Sequence, residues 1–291
     1  MPAIITDRFR IHNSEQFQEA FSETSGNAMY LGIGRPQAFA TSTRADGRTN
    51  NEGSDTAPIT PADNLNAQHF PYDDLLACKK IAASDVTFAI PRRNWVTGTT
   101  YDIYRHDYGE RITGTTTAQT ANSGVSNLHD ASFYVLTAAR NVYKCLDNDG
   151  NTASTVEPTG TSTSVLTTAD GYKWKYMYTL TASQQSNFLS TDFMAVATDS
   201  TVSSAAVAGA IDIIKIKTAG SGGSNGTHTN IDIRGDGSGG KCSVTVAGGV
   251  VTAVTVTTAG TGYTFGTVSN AQIVAAGATS LSGAELDVII P

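Results

Sequence analysis

An all-β architecture follows from three features of the chain. A nine-residue run, Asp170 to Tyr178, opens on an Asp-Gly turn pair and then alternates strictly. Tyr172, Trp174, Tyr176 and Tyr178 fall on one side of a strand, and Lys173, Lys175 and Met177 on the other. Charged residues make up only 15% of the 291 positions, against a typical ~25%, and Ser, Thr, Asn, Gly and Ala take their place. From about Ala205 onward the chain becomes rich in Gly, Val and Thr and repeats itself. One or two short helices complete the expectation.

Taken in order, Ser14–Phe21 reads as a short helix with Ser14 as N-cap and Phe17 and Phe21 on one face. A strand follows over Ala28–Ile33, ended by Gly34. Residues 40–66 are polar, with Pro36, Pro58 and Pro61 nearby, and read as a long exposed loop, a candidate arm for a neighbouring subunit. Pro71–Cys78 reads as one or two helical turns, and Val86–Ile90 as a strand closed by Pro91. Residues 110–130 are expected to loop outward. Phe133–Ala138 and Val142–Leu146 form paired strands, and Asn148–Asn151 is a turn. The aromatic run comes next. Each ring buries roughly 150–250 Å², so this face requires cover from a second sheet or from another chain.

The last third carries an internal repeat. Ile214-x-Ile216-x-Thr218-Ala219-Gly220-x-Gly222 returns forty residues later as Val254-x-Val256-x-Thr258-Ala259-Gly260-x-Gly262. Ile231 and Ile233 correspond to Ala271 and Ile273, and Cys242–Val246 to Ala284–Val288 with a two-residue slip. Each unit reads as about three strands joined by glycine turns. Two such units close a small sandwich or barrel that neither closes alone.

Composition also excludes function classes. The net charge is −7 and no Lys/Arg run exceeds two residues, so the basic stripe of a nucleic-acid groove is missing from the sequence. No apolar stretch approaches the ~20 residues that span a membrane, and the first residues lack a signal-peptide pattern. The expectation is a soluble chain made in a cytoplasm. Cys78, Cys145 and Cys242 are far apart and odd in number, which points to free, buried thiols. The five histidines show no metal spacing, and Asp147-x-Asp149-Gly150 lacks the other ligands of a calcium loop. No GxSxG elbow or P-loop occurs. No catalytic, cofactor-binding or metal residues are assigned, and no enzyme is expected. Arg92-Arg93, beside Pro91 and Trp95, suits bidentate carboxylate contacts and aromatic stacking. Two readings stand side by side: an interdomain or intersubunit anchor, and an ion pair within one subunit.

Four segments, in order, resemble the baseplate wedge protein of contractile-tailed T-even-type bacteriophages, the gene-eight product family, in its marine and cyanobacterial form. They are Tyr30-Leu31-Gly32-Ile33-Gly34-Arg35; Ile90-Pro91-Arg92-Arg93-Asn94-Trp95, with Asn94 where the family has Asp; Val142–Asp147 followed by Glu157-Pro158; and the aromatic run itself. The resemblance covers roughly residues 3–200. It implies two β-sandwich-like domains, one inserted in the other: residues 1–88 with 197–210, and 89–196, followed by the glycine-rich repeat over 211–291. Residues 259–264 also resemble a glycine-turn β module inserted in many tailed-phage structural proteins. In the family a further segment follows; here the sequence runs out at Leu286–Pro291, which implies a compact version or a last strand that pairs with another subunit.

The resemblance further implies a homodimer in the tail baseplate of the virion, in contact with other wedge proteins. No nucleic acid, membrane, small-molecule substrate or cofactor is involved. Arg35, Arg92, Arg93, Trp95, Tyr172, Trp174, Tyr176 and Tyr178 are the candidate interface or family-motif residues. The alternatives are another virion part, such as a neck or tail-end protein, and a carbohydrate-binding adhesion module. Exposed rings on an open face would favour the last.

Overall fold

The computed structural model describes residues 7–23, 28–34, 75–109 and 119–290. The fold is mainly β, with fifteen strands and four helices among the described residues. The chain divides into two compact units, Met1–Phe88 and Ala89–Pro291.

In the first unit, helix α1 spans Asp7–Ala20. It begins a full two turns before the expected Ser14 cap. Ser14 lies mid-helix, its hydroxyl donating to the Arg10 carbonyl at 2.9 Å, a bond a helix interior allows. Phe17 and Phe21 do meet, edge to face at 5.1 Å. Strands β1 (Tyr30–Gly34) and β2 (Leu75–Lys80) form an antiparallel ribbon in the register Tyr30↔Lys80 to Ile33↔Ala77, with a bulge at Gly34. Leu75–Cys78 is therefore strand, and the helical expectation for this segment is corrected. Pairing with a distant strand overrides the local preference of Leu and Ala. The expected loop at 40–66, and residues 71–74, lie outside the described residues.

The second unit begins with β3 (Ala89–Pro91), paired with β8 (Phe193–Ala195). A four-stranded antiparallel sheet follows in the order β4 (Tyr134–Leu136), β5 (Asn141–Asp147), β7 (Lys173–Thr179), β6 (Leu166–Thr167). Asn94 adds a parallel bridge to Leu136. Two short helices, α2 (Ala182–Phe188) and α3 (Ser200–Ala205), are capped by Thr181 and Asp199.

Two apolar clusters flank this sheet. One holds Tyr101, Val135, Tyr143, Cys145, Tyr172, Trp174 and Tyr176. The other holds Tyr134, Leu136, Val142, Tyr178, Leu180 and Met194. Burial along β7 alternates as expected. Tyr178 nevertheless sits in the second cluster, not beside the other three rings. The register shifts between Val142 and Tyr143, and a bulge turns the following side chain to the opposite face.

The glycine-rich segment builds strands β9 (Ile213–Ser221), β10 (Gly226–Asp232), β11 (Arg234–Gly235), β12 (Lys241–Ala247), β13 (Val250–Thr258), β14 (Gly266–Thr267) and β15 (Ser282–Ile289), with helix α4 (Asn270–Ala275). The two repeats close by exchange. β9, which opens the first repeat, pairs with β15, which closes the second; β12, which closes the first, pairs with β13, which opens the second. Two hydrogen bonds repeat the relation at single residues: Tyr263 N donates to Gly209 O at 3.2 Å, and Gly223 N to Gly249 O at 3.0 Å. Each residue of one bond has its counterpart, forty positions away, in the other.

The repeats differ in the middle. Ile233 lies just past strand β10, whereas Ile273 lies in α4, because Ser269 and Gln272 form a capping box there. Both isoleucines reach the same core, with Val244, Val246, Tyr263, Leu281 and Val288. The apolar strand β15 is covered within the chain.

Candidate interface

The candidate residues divide into braces and core. Arg92 donates from Nε to Asn94 Oδ1 at 2.9 Å and from Nη1 to the Ser190 carbonyl at 2.8 Å. Arg93 donates from Nη1 to Ser132 Oγ at 2.6 Å and from Nη2 to the carbonyls of Asp130 (3.1 Å) and His129 (3.3 Å). Its guanidinium stands 5.4 Å from the Tyr134 ring centre. These guanidiniums thus tie the segment after β3 to residues 129–134 and 190, using carbonyls and hydroxyls where the sequence reading weighed carboxylates. Trp95 is half-buried and donates from Nε1 to Ser154 Oγ at 3.1 Å. Arg35 lies outside the described residues.

The aromatic run is enclosed by the chain itself. Trp174 is fully buried, stacked on Tyr172 with centres 5.3 Å apart and edge-on to Tyr101 at 5.7 Å. Three hydroxyls have internal acceptors: Tyr172 Oη donates to Thr152 O at 2.6 Å, Tyr178 Oη to Ala195 O at 3.0 Å, and Tyr176 Oη bonds Thr179 Oγ1 at 2.8 Å. Burial raises the Tyr172 phenol to about 12. Among the described residues the indole N–H of Trp174 meets no acceptor, and the ring contacts with Tyr172 and Tyr101 are what hold it.

The sequence reading did not anticipate where apolar surface remains. On the β1–β2 ribbon, Tyr30 is 61% exposed, Leu31 53%, Ile33 57% and Leu76 62%. The signal was present: Tyr30–Gly34 is apolar without alternation, as in strands buried on both faces. In the same unit Phe17 and Phe88 line a groove of about 390 Å³ with Asn13, Ser14, Gln18, Val86 and Thr87. Cys145 and Cys242 are buried free thiols as expected, whereas Cys78, on the ribbon, is exposed.

Among the described residues no three His, Cys, Asp or Glu side chains are placed to hold a metal ion, and no helix is long and apolar enough to cross a membrane. No family model and no curated protein matches the chain.

Proposed function

We propose that this chain is a structural component of a contractile-tail baseplate wedge. It links neighbouring wedge subunits as a homodimer and passes conformational change on to the sheath. The reading comes from the four motif segments. What favours it over glycan adhesion is the distribution of rings: Trp174 and the ladder tyrosines are inside, while the exposed ribbon is largely aliphatic. Sugar sites present Trp or Tyr faces to solvent beside convergent polar groups; aliphatic strand surface suits protein contact. The role is architectural, with no reaction and no cofactor.

Gold-labelled antibody against the chain, applied to virions that carry it, is expected to mark the baseplate end of the tail. Label at the neck would transfer the chain to that part of the particle. Absence from virions, with retention on a glycan array, would replace the proposal with the adhesion reading.

A further inference from the structure

We propose that two copies of the chain join edge to edge through β1, so that the ribbon becomes a four-stranded sheet in the order β2, β1, β1 of the second copy, β2 of the second copy. This takes the dimer from the reading above and names its surface. Three observations carry it.

The first is exposure. Every residue of β1 and β2 is exposed, although β1 is Tyr-Leu-Gly-Ile-Gly and β2 opens with Leu75-Leu76-Ala77. A lone two-stranded ribbon is at best marginally stable in water. The second is the seam itself. Tyr30, Leu31 and Ile33 flank it and offer roughly 100 Å² each, about 600 Å² over two copies, and the main-chain N–H and C=O groups along the open edge add the hydrogen bonds of a paired strand.

The third is self-complementarity, which selects a second copy as the occupant. β1 carries no charge, and among the described residues it pairs only with β2, leaving its outer edge open. In antiparallel pairing about a two-fold axis at Gly32, Leu31 of each copy stands opposite Ile33 of the other, and Tyr30 stands opposite Gly34. Aliphatic pairs then meet on one face, and on the other a ring covers a bare glycine. Lys79, on the far strand, is already paired with Asp85 at 2.6 Å, so one of the two ribbon lysines brings no unpaired charge to the assembly.

Light scattering on the full chain is expected to give about twice 30.4 kDa at micromolar concentration. Ile33→Lys puts a charge into the central pair and is expected to weaken dimerisation at least a hundredfold, giving the monomer mass. Ile33→Val and Val207→Lys, the latter exposed in the other unit, stay dimeric.

A second measurement leaves the interface sequence intact. A nitroxide on Cys78, whose register partner is Gly32, lies three strand spacings from its copy, about 15 Å between backbones, so dipolar spectroscopy is expected to read roughly 15–30 Å. A dimer that ignores Ile33→Lys, or whose labels are beyond about 40 Å, overturns the surface. A monomeric wild-type chain overturns the dimer as well. Antibody labelling of the baseplate is independent of all these outcomes, so the location and the surface fail separately.

Discussion

Asp170 shows how much one side chain organises. Its carboxylate accepts from Ser154 Oγ at 3.0 Å, Thr155 N at 2.8 Å and Val156 N at 3.0 Å, and also from the Thr168 hydroxyl. Burial alone would raise its pKa; the bonds from Thr168, Val156, Thr155 and Ser154 outweigh burial and hold it at about 2. The unfolded chain therefore binds this proton first on acidification. The stabilisation is complete above the ordinary value of 3.8 and is lost as pH falls towards about 2. Asp170→Asn is expected to be less stable by about 1–2 kcal/mol at pH 7, with the two proteins converging near pH 2 in thermal melts. Curves that stay parallel from pH 5 to 2 would remove Asp170 from this role. The Asp170-Gly171 pair was legible as a turn because turn chemistry is local. Its grip on residues 154–156 was not, because the choice of bonding partner depends on where the loop after β5 returns.

At the level of elements, the strands of the repeat were legible and their partners were not. The forty-residue period predicts equivalent backbone conformations, and the glycines keep it: φ is +69° at Gly220 and +66° at Gly260, and +76° at both Gly222 and Gly262. These glycines are not equally constrained. A Cβ at Gly260 would stand 2.6 Å from Gly240 N and 2.7 Å from Ser238 O, whereas at Gly262 it would meet only Gly237 Cα, at 3.9 Å. Gly262→Ala is expected to cost about 1–2 kcal/mol for the left-handed backbone, and Gly260→Ala about 3 kcal/mol or more because the backbones must also part. Denaturant titration of the two variants checks the order; equal losses would mean that the close approach carries no weight. Sequence reasoning misjudged the middle of the second repeat and the β2 segment for related reasons. A capping box made α4 where the repeat suggested strand, and pairing with β1 made strand where the local residues suggested helix.

Across the second unit, the ladder sheet and the glycine-rich repeat meet through side chains. No sheet among the described residues spans both. Arg105, nearly buried, bonds Asp107 at 2.8 Å and also Asp287 on β15; Lys215 reaches Asp147 at 3.1 Å, and Lys175 pairs with Asp212. Leu146, Ile213 and Ile289 form the apolar centre of this junction. Arg105→Leu strands two carboxylates and is expected to destabilise the protein by about 2–3 kcal/mol, less than for a fully buried pair because Asp107 and Asp287 keep 25% and 29% exposure. In Arg105→Leu with Asp287→Leu about half of that loss is expected to return, because Asp107 still lacks its partner. Urea unfolding of the pair tests it, and additive losses would contradict the coupling. The sequence by itself determined what is local: the mainly β character, the buried rings of the alternating run, the glycine turns and their period. Each of these rests on the two-residue pleat or on the dihedral freedom of one residue. Only the tertiary structure decided that β9 pairs with β15, that a bulge carries Tyr178 to the other cluster, that Arg93 braces carbonyls, and that the apolar ribbon stands exposed. Those outcomes depend on which distant segments arrive together, and no neighbouring residue specifies that.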